Sequence, residues 1–404
     1  MAFSSARSDN TRSAVLAHIG AHGSASRADL ARSLGLSPAL ITRVSKELVT
    51  DGLVRELDLT PSNGGRPAQL LGLVDASIGA IGLKIAPDHV TLVEVGLDGV
   101  VARSTTEPFD AHDHMALSAI VDITSRFQSD SHHAMILGIG VGLPGNVQDQ
   151  SEDVVDSTQL KWNRIPLGGA LRAATGLPVL IDNNVNALAL AESLYGTGRA
   201  KDNFLVVTIG TGIGAGIMAN GSIIRGHTGN AGEIGHIPTQ PDGPECQCGA
   251  RGCLEAIIGQ RALVTTARSR GAIGPDGGIA ALHRAAASGD PTAQEVLQEA
   301  GHLLGRAVAG IVNTLDPELI VILGEGAESW AHWAHGFEPA LRSGVIPRNR
   351  GIRVAVEAWQ DDRWAQGAAC LVLGTPFDSD GVSGEQGRLV RGRLMERAHQ
   401  GSGS

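Results

Sequence analysis

A cluster of metal-binding side chains lies in the glycine-rich segment 226–255, GHTGNAGEIGHIPTQPDGPECQCGARGCLE. Three of the four cysteines of the chain fall here, Cys246, Cys248 and Cys253, and His236 precedes them in the same segment. Three thiolates and one imidazole suit a tetrahedral zinc ion in number and softness. Since all four ligands come from the protein, no position is open for a catalytic water, and we expect structural zinc. The alternative is a set of reduced thiols beside a surface histidine.

A second polar cluster, Asp182-Asn183-Asn184-Val185-Asn186, follows the apolar run that ends LPVLI and precedes an alanine-rich helical pattern. The junction between a strand and the following helix is where α/β folds bind ligands. Three of the four polar side chains are amides, which neither accept nor release a proton at neutral pH. The residues alone therefore leave open whether this is a catalytic site or a binding site.

The N-terminal residues 11–57 carry three short helical patterns, typical of a helix-turn-helix. Ser26 is predicted to cap the second helix, and Ser37, followed by Pro38, the third. The apolar stripe of the third helix faces inward. Its outer face then presents small, hydroxylic or basic side chains, as a reader of the DNA major groove requires. With the cap, this predicted face comprises Ser37, Ala39, Thr42, Arg43 and Lys46.

Two alternating apolar runs flank TPSNGG, which predicts a hairpin with Asn-Gly turn chemistry and makes the module a winged helix. Gly65 and Arg66 lie at the predicted wing tip, where a cation can enter the minor groove or pair with phosphate. The helical spacing also occurs in protein-interaction domains, but the hairpin favours DNA. We expect a dimeric body to hold two modules at half-site spacing.

The composition and charge of the chain indicate its class and its domain organisation. It has 404 residues, 42% hydrophobic residues, 54 glycines and a net charge of −10, whereas residues 1–74 alone carry a net +2. Strand patterns alternate with helical ones, which indicates α/β architecture. We expect a DNA-binding domain at 1–75, an effector domain at 76–375 and a solvated polar tail at 376–404. No apolar run could span a bilayer and no signal peptide is evident, so we expect a cytoplasmic protein.

Together the motifs resemble the ROK family of repressors and sugar kinases. The zinc-loop pattern G-H, nine residues, C-x-C-G-x-x-G-C-x-E is matched from Gly235 to Glu255, and GIGVGLPG and GTGIGAG also match family motifs. The resemblance implies an actin-like ATPase (ribonuclease H-like) fold with two α/β lobes, usually in dimers or tetramers. It also implies that His236 bridges zinc and sugar. The sugar-binding residues it implies are Asn183, Asn184, Glu233, His236 and Glu255.

Departures from the kinase motifs argue against catalysis. Asn184 stands where the family's kinases have the Asp that deprotonates the sugar hydroxyl. Lys84 and Ala86-Pro87-Asp88 replace the first phosphate loop, and Gly324-Glu325 replaces the Gly-Gly of the adenosine side. The second phosphate loop, 210–216, is intact. Gln159 stands for the Asn of an N-L-x-W segment, so the recognised hydroxyl pattern need not be that of glucose.

The sequence therefore predicts a sugar-responsive DNA-binding transcriptional regulator that is not an enzyme. It is expected to repress genes of carbohydrate uptake or metabolism through a double-stranded DNA operator, as a homodimer or homotetramer. Two alternatives stay open at this point. One is a sugar kinase with a fused DNA-binding module, and the other is a regulator controlled by a protein partner.

Overall fold

The structure is a computed structural model. It describes residues 11–12, 14–16, 18–20, 23–60, 68–73, 78–145, 154–199, 201–360, 362–375 and 384–401. The chain divides into two compact units. The first contains residues 1–202, 220–229 and 361–404, and the second contains residues 203–219 and 230–360.

The N-terminal module of the first unit has the predicted winged-helix elements. These are α1 (helical residues 11–12, 14–16 and 18–20), β1 (Ala25–Ser26), α2 (Arg27–Leu34), α3 (Pro38–Thr50), β2 (Val54–Thr60) and β3 (Ala68–Leu73). The strands form an antiparallel sheet in the order β1-β3-β2. Ser26 Oγ accepts a hydrogen bond from the Asp29 N–H at 3.1 Å, so the predicted cap of α2 is confirmed. The wing tip, with Gly65 and Arg66, lies outside the described residues.

The body of the first unit is a mixed sheet in the order β10-β7-β4-β5-β6, in which β7 is parallel to both β4 and β10. Its strands are β4 (Ile78–Ile85), β5 (His89–Gly96), β6 (Val101–Pro108), β7 (Met135–Leu143) and β10 (Val179–Asn183), with a small ladder of β8 (Val155–Ser157) and β9 (Trp162–Ile165). Its helices are α4 (Ala116–Ser129), α5 (Leu167–Thr175), α6 (Asn184–Leu194), α12 (Arg363–Leu373) and α13 (Gly384–Gly401). The β10–α6 junction therefore places the polar cluster at the carboxyl end of a strand, as predicted.

The sheet of the second unit runs in the order β12-β11-β14-β15. Its strands are β11 (Phe204–Ile209), β12 (Ile213–Ala219), β14 (Leu319–Leu323) and β15 (Arg353–Val356), and the short β13 (Ser222–Ile223) follows β12 in the chain. Its helices are α7 (Leu254–Ile258), α8 (Gln260–Ser269), α9 (Ile279–Ala287), α10 (Pro291–Leu315) and α11 (Trp330–Gly344), with 3₁₀ helices η1 (Ile234–His236), η2 (Glu325–Ser329) and η3 (Pro347–Asn349). Helices α10 and α11 pack along each other and bury Trp333 and Phe337.

The structure of the C-terminal segment differs from the prediction. Residues 376–404 are predicted to be a solvated polar tail, but 384–401 form α13, which packs on the first unit. Val390 and Leu394 are fully buried, and Arg393 donates to the carbonyl of Ile136. The polar composition hid two apolar positions four residues apart, which is one helical face. No helix in the described ranges is long and apolar enough to cross a membrane.

Candidate DNA-binding, metal and effector sites

The outer face of α3 is built as predicted. The Leu40 N–H donates to Ser37 Oγ at 3.3 Å, which caps the helix. Ile41, Val44 and Leu48 are buried against the module core. The predicted DNA-binding side chains on the opposite face are all exposed: Ser37, Ala39, Thr42, Arg43 and Lys46. Their contact with DNA stays a prediction.

Two further arginines lie beside this face and were not singled out from the sequence. Arg27 and Arg32 line a surface cavity together with Pro38 and Thr42. Arg27 pairs with Glu56 at 2.6 Å and Arg32 with Asp29 at 3.2 Å, both on the surface. Exposed ion pairs of this kind contribute little free energy. Only the folded arrangement shows that α2 carries them to the edge of α3.

The four predicted metal ligands come together in the second unit. The ligand atoms of His236, Cys246, Cys248 and Cys253 all lie within 4.8 Å of one another. Cys246 Sγ is 3.5 Å from His236 Nδ1, and Cys248 Sγ is 3.7 Å from Cys253 Sγ. A tetrahedral zinc with ordinary bond lengths separates two thiolates by about 3.8 Å and a thiolate from an imidazole nitrogen by about 3.6 Å. The cluster therefore fits zinc in donor chemistry and in spacing.

Backbone hydrogen bonds hold the loop around these ligands. The Gly252 N–H donates to the Pro244 carbonyl at 2.8 Å, and the Cys246 N–H donates to the Ala250 carbonyl at 2.8 Å. Burial and the neighbouring thiols raise the pKa of Cys253 to about 12. Metal binding must therefore displace the proton from this thiol, and ion binding is coupled to proton release.

The predicted sugar-binding residues of the second unit surround the same histidine. His236 Nδ1 faces the cysteines, whereas its Nε2 lies 3.7 Å from Glu233 Oε2. Glu255 Oε2 accepts a hydrogen bond from the Ile213 N–H at 3.0 Å, which ties the zinc loop to the glycine-rich turn. Burial raises the pKa of Glu233, an effect that His236 reduces and Glu255 increases. Two carboxylates and an imidazole nitrogen thus converge within this unit.

The polar cluster of the first unit is organised around a buried carboxylate. Asp182 accepts hydrogen bonds from the Asn183 N–H at 2.8 Å and from Asn186 Nδ2 at 2.9 Å. It also pairs with Arg225 Nε at 2.7 Å. A buried charge requires such partners, and Arg225 was missed because it is 43 positions away in a glycine-rich segment with no local signal.

The two asparagines that follow have different surroundings. Asn183 Oδ1 accepts the Val185 N–H at 2.8 Å and caps α6, while its Nδ2 donates to the Gly145 carbonyl at 3.2 Å. The Asn184 side chain makes no hydrogen bond in the described part of the chain and is half-buried. Gln159 is exposed in the turn between β8 and β9. Asn184 is thus the amide of this cluster that is available to a ligand.

The loop corresponding to the first kinase phosphate loop is the turn between β4 and β5. The Pro87 and Asp88 carbonyls accept hydrogen bonds from the Ala111 and Phe109 N–H groups at 2.9 and 3.0 Å. Pro87 has no N–H group. This turn therefore presents carbonyl acceptors that hold the chain segment at 109–111. A phosphate-binding loop presents N–H donors instead.

The glycine-rich turn of the second unit is intact, but a carboxylate lies against it. The Gly210 N–H donates to the Gly212 carbonyl at 3.1 Å, which closes the turn. The Glu325 carboxylate sits so close to Gly210 that a methyl group on that residue would overlap it. Glu325 therefore places a negative charge beside the N–H groups that bind phosphate in a nucleotide site.

The fold and these sites define a class: a chain of two compact units, each with an α/β sheet, that carries a winged helix at the start of the first unit. Residues 81–375 match the ROK family profile, and residues 10–60 match that of the MarR family. The chain belongs to the ROK family, and its predicted membership and fold class are confirmed.

Two relatives are repressors by name. The N-acetylglucosamine repressor of Escherichia coli O6:H1 is 30% identical over 371 residues, which cover 89% of this chain and 91% of the relative. The xylose repressor of Bacillus spizizenii is 28% identical over 333 residues, 80% of this chain and 84% of the relative.

Two solved structures are similar to this chain over different shares of its length. A ROK family transcriptional regulator, described as a homolog of the E. coli MLC protein, superposes with a TM-score of 0.74 at 28% identity and covers 97% of this chain and all of that one. A ROK family glucokinase from Streptomyces griseus, in complex with glucose and AMPPNP, has a TM-score of 0.65 at 26% identity. It covers 72% of this chain and 98% of its own. The architecture is thus shared by regulators and kinases.

Proposed function

We propose that this chain is a sugar-responsive DNA-binding transcriptional regulator, acting as a repressor, which binds its effector without phosphorylating it. The observation that carries the proposal is the exposed α3 face, with Arg43 and Lys46, in a chain of the ROK family. Asn184, which the resemblance aligns with the catalytic Asp of the kinases, supports it. Relatives that match most of the chain are repressors by name.

The proposed effector is a sugar or sugar derivative. Amide and carboxylate groups suit its hydroxyls, because amides both donate and accept hydrogen bonds and carboxylates accept them strongly. The residues that we propose to bind it are Gln159, Asn183 and Asn184 of the first unit and Glu233, His236 and Glu255 of the second. The convergence of Glu233, His236 and Glu255 supports their assignment.

Three features support the absence of phosphoryl transfer. Asn184 cannot accept a proton, and the loss of a positioned base costs about 10²- to 10⁴-fold in rate. Pro87 removes an N–H donor from the first loop, and the Glu325 carboxylate opposes phosphate at the second. One of these losses affects proton transfer and two affect nucleotide binding, so no single reversion repairs them.

Zinc is the proposed metal of the cysteine cluster. His236, Cys246, Cys248 and Cys253 would hold it, and the ion would supply a structural cross-link for a loop that has little apolar core. Because His236 presents Nε2 towards Glu233, the same ligand would orient an effector-binding group.

One winged helix would cover one half-site of a palindromic operator, and a second copy would cover the other. We propose a homo-oligomer, a dimer or a tetramer, on a double-stranded operator. A dimer places two recognition helices on half-sites about 34 Å apart, one turn of DNA.

The test is an operator titration. A duplex is selected from a random library by the purified protein, and its binding is followed by fluorescence anisotropy with N-acetylglucosamine, xylose, glucose or their monophosphates present. We expect sequence-specific binding and a change in operator Kd with one of these ligands. A protein that selects no duplex, or whose operator Kd is the same with every ligand of the panel, would contradict the proposal.

Two further measurements address the alternatives. Sugar-dependent ATP consumption abolished by Asn184→Ala would establish a kinase. A regulator controlled by a protein partner would respond normally with Glu233→Ala and Glu255→Ala, which we expect to weaken the sugar response.

A further inference from the structure

The turn between β5 and β6, residues 96–99, is a rigid element of the first unit. The Gly99 N–H donates to the Gly96 carbonyl at 2.9 Å, and the Leu97 N–H donates to the Ile78 carbonyl at 3.2 Å. Asp98 Oδ1 accepts the Val100 N–H at 2.9 Å. With its backbone fixed in this way, the 96–99 turn moves as one body when a neighbour displaces it.

Helix α6 ends against one side of this turn. Tyr195, the residue after α6, donates its hydroxyl to the Leu97 carbonyl at 3.2 Å. Its ring lies on Gly99, where an added Cβ would be 2.7 Å from a ring carbon. Gly99 also has φ +79°, a conformation that side chains rarely adopt. The ring therefore packs directly against the backbone of Gly99, with no room between them for a side chain.

Helix α12 adds a second hydrogen bond. Gln366 Nε2 donates to the Gly99 carbonyl at 2.7 Å. The turn is thus attached to the body through two side chains from different helices.

The DNA-binding module contacts the same turn. At Gly20, in the last described part of α1, an added Cβ would be 2.8 Å from Asp98 Cα and 2.9 Å from Asp98 Cβ. Ile19 and Leu97 are buried in the same apolar cluster. A displacement of the turn must therefore move α1 or break this contact.

The other end of α6 is the proposed effector cluster. Asn183 caps the helix and Asn184 is its first residue, and its eleven residues span about 16 Å. Because the helix is largely buried, it transmits displacement as a rigid rod.

We propose that Tyr195 is a positioning residue that transmits effector binding at the start of α6, through the 96–99 turn, to α1 of the winged helix. This inference rests on the proposed function. It assigns the regulatory response to a residue that contacts neither DNA nor effector.

The test uses Tyr195→Phe in the full chain, which keeps the ring on Gly99 and removes the hydroxyl. The readout is the ratio of operator Kd values with and without saturating sugar, with the selected duplex and the same ligand panel. We expect two affinities to stay within about twofold of wild type: that for the operator without sugar and that for the sugar without DNA. The ratio should fall about 3- to 10-fold, because one hydrogen bond of the path between α6 and α1 is lost. A change in stability alone would not alter this ratio.

Gln366→Met, which removes the other donor to the turn, is expected to lower the same ratio, and it carries the test if Tyr195→Phe does not fold. Ser129→Ala is the control, because it removes an exposed hydroxyl bond at the end of α4. If wild type responds to a sugar and both variants respond equally, the inference is overturned and the proposed function stands. If wild type responds to no ligand, both fail.

Discussion

Glu233 Oε2 lies 3.7 Å from His236 Nε2, on the opposite side of the imidazole ring from the cysteine cluster. A single side chain therefore joins the proposed zinc site to a carboxylate that we propose to bind a sugar hydroxyl. The group that binds Nδ1, which would be the zinc ion, sets the orientation of the imidazole ring.

Removal of the metal should consequently have two effects. We expect one zinc per chain by elemental analysis, and we expect Cys253→Ser to lose it. The same variant should have a lower unfolding temperature and should bind sugar more weakly by calorimetry. Cys370→Ala is the control, because this buried cysteine lies outside the cluster and should leave the zinc content unchanged. A metal-free wild type with full sugar affinity would contradict the prediction.

Substitutions on α3 should distinguish base reading from phosphate contact. Arg43→Ala is expected to weaken operator binding by about 1–3 kcal/mol and to relax sequence preference. Lys46→Ala should weaken all duplexes alike and reduce the slope of log K against log salt by about 1. Arg261→Ala, an exposed cation on α8, is the control. Equal effects of all three substitutions would contradict the assignment.

Introducing a carboxylate at position 184 alone should not make the protein a sugar kinase. Asn184→Asp returns a proton acceptor, but Pro87 and Glu325 still oppose nucleotide binding. We expect no sugar-dependent ADP formation in a coupled assay, with Asn184→Ala as the matched variant. Turnover by the Asp variant alone would show that the phosphate loops function despite their chemistry.

The helix α13 should contribute to folding. Leu394→Ala removes a fully buried side chain and is expected to lower the free energy of unfolding by about 2–5 kcal/mol. Leu389→Ala, on the same helix but 47% exposed, should cost much less. Urea denaturation measures both, and equal effects would indicate that α13 is detached in solution.

A buried carboxylate should make stability depend on pH. Burial alone would raise the pKa of Glu94, but hydrogen bonds from His133, Ser131 and His132 outweigh it and lower the pKa to about 2. A depressed folded-state pKa stabilises the protein above the unfolded value near 4.5, and this stability is lost as pH falls towards 2. Denaturation midpoints from pH 6 to pH 2.5 should show a smaller acid-induced loss in Glu94→Gln than in wild type.

The sequence predicted local elements and the identity of polar clusters well, because caps, glycine turns and ligand spacing are local signals. Ser26 and Ser37 cap the predicted helices, and the four metal ligands converge. The pairing of Asp182 with Arg225 and the contact of Tyr195 with Leu97 were not predictable, since each joins positions far apart in the chain. The packing of α13 was missed because its composition is polar and the apolar side chains Val390 and Leu394, which it buries, give a weak signal.

The Glu325 carboxylate beside Gly210 has a consequence for physiology under the proposed function. A kinase of this architecture responds to two metabolites, the sugar and ATP, and consumes both as it works. A body with its own anion at the phosphate loop responds to one, at equilibrium, and leaves the nutrient pool untouched. Gene expression under such a protein follows the concentration of sugar and is independent of the energy charge of the cell.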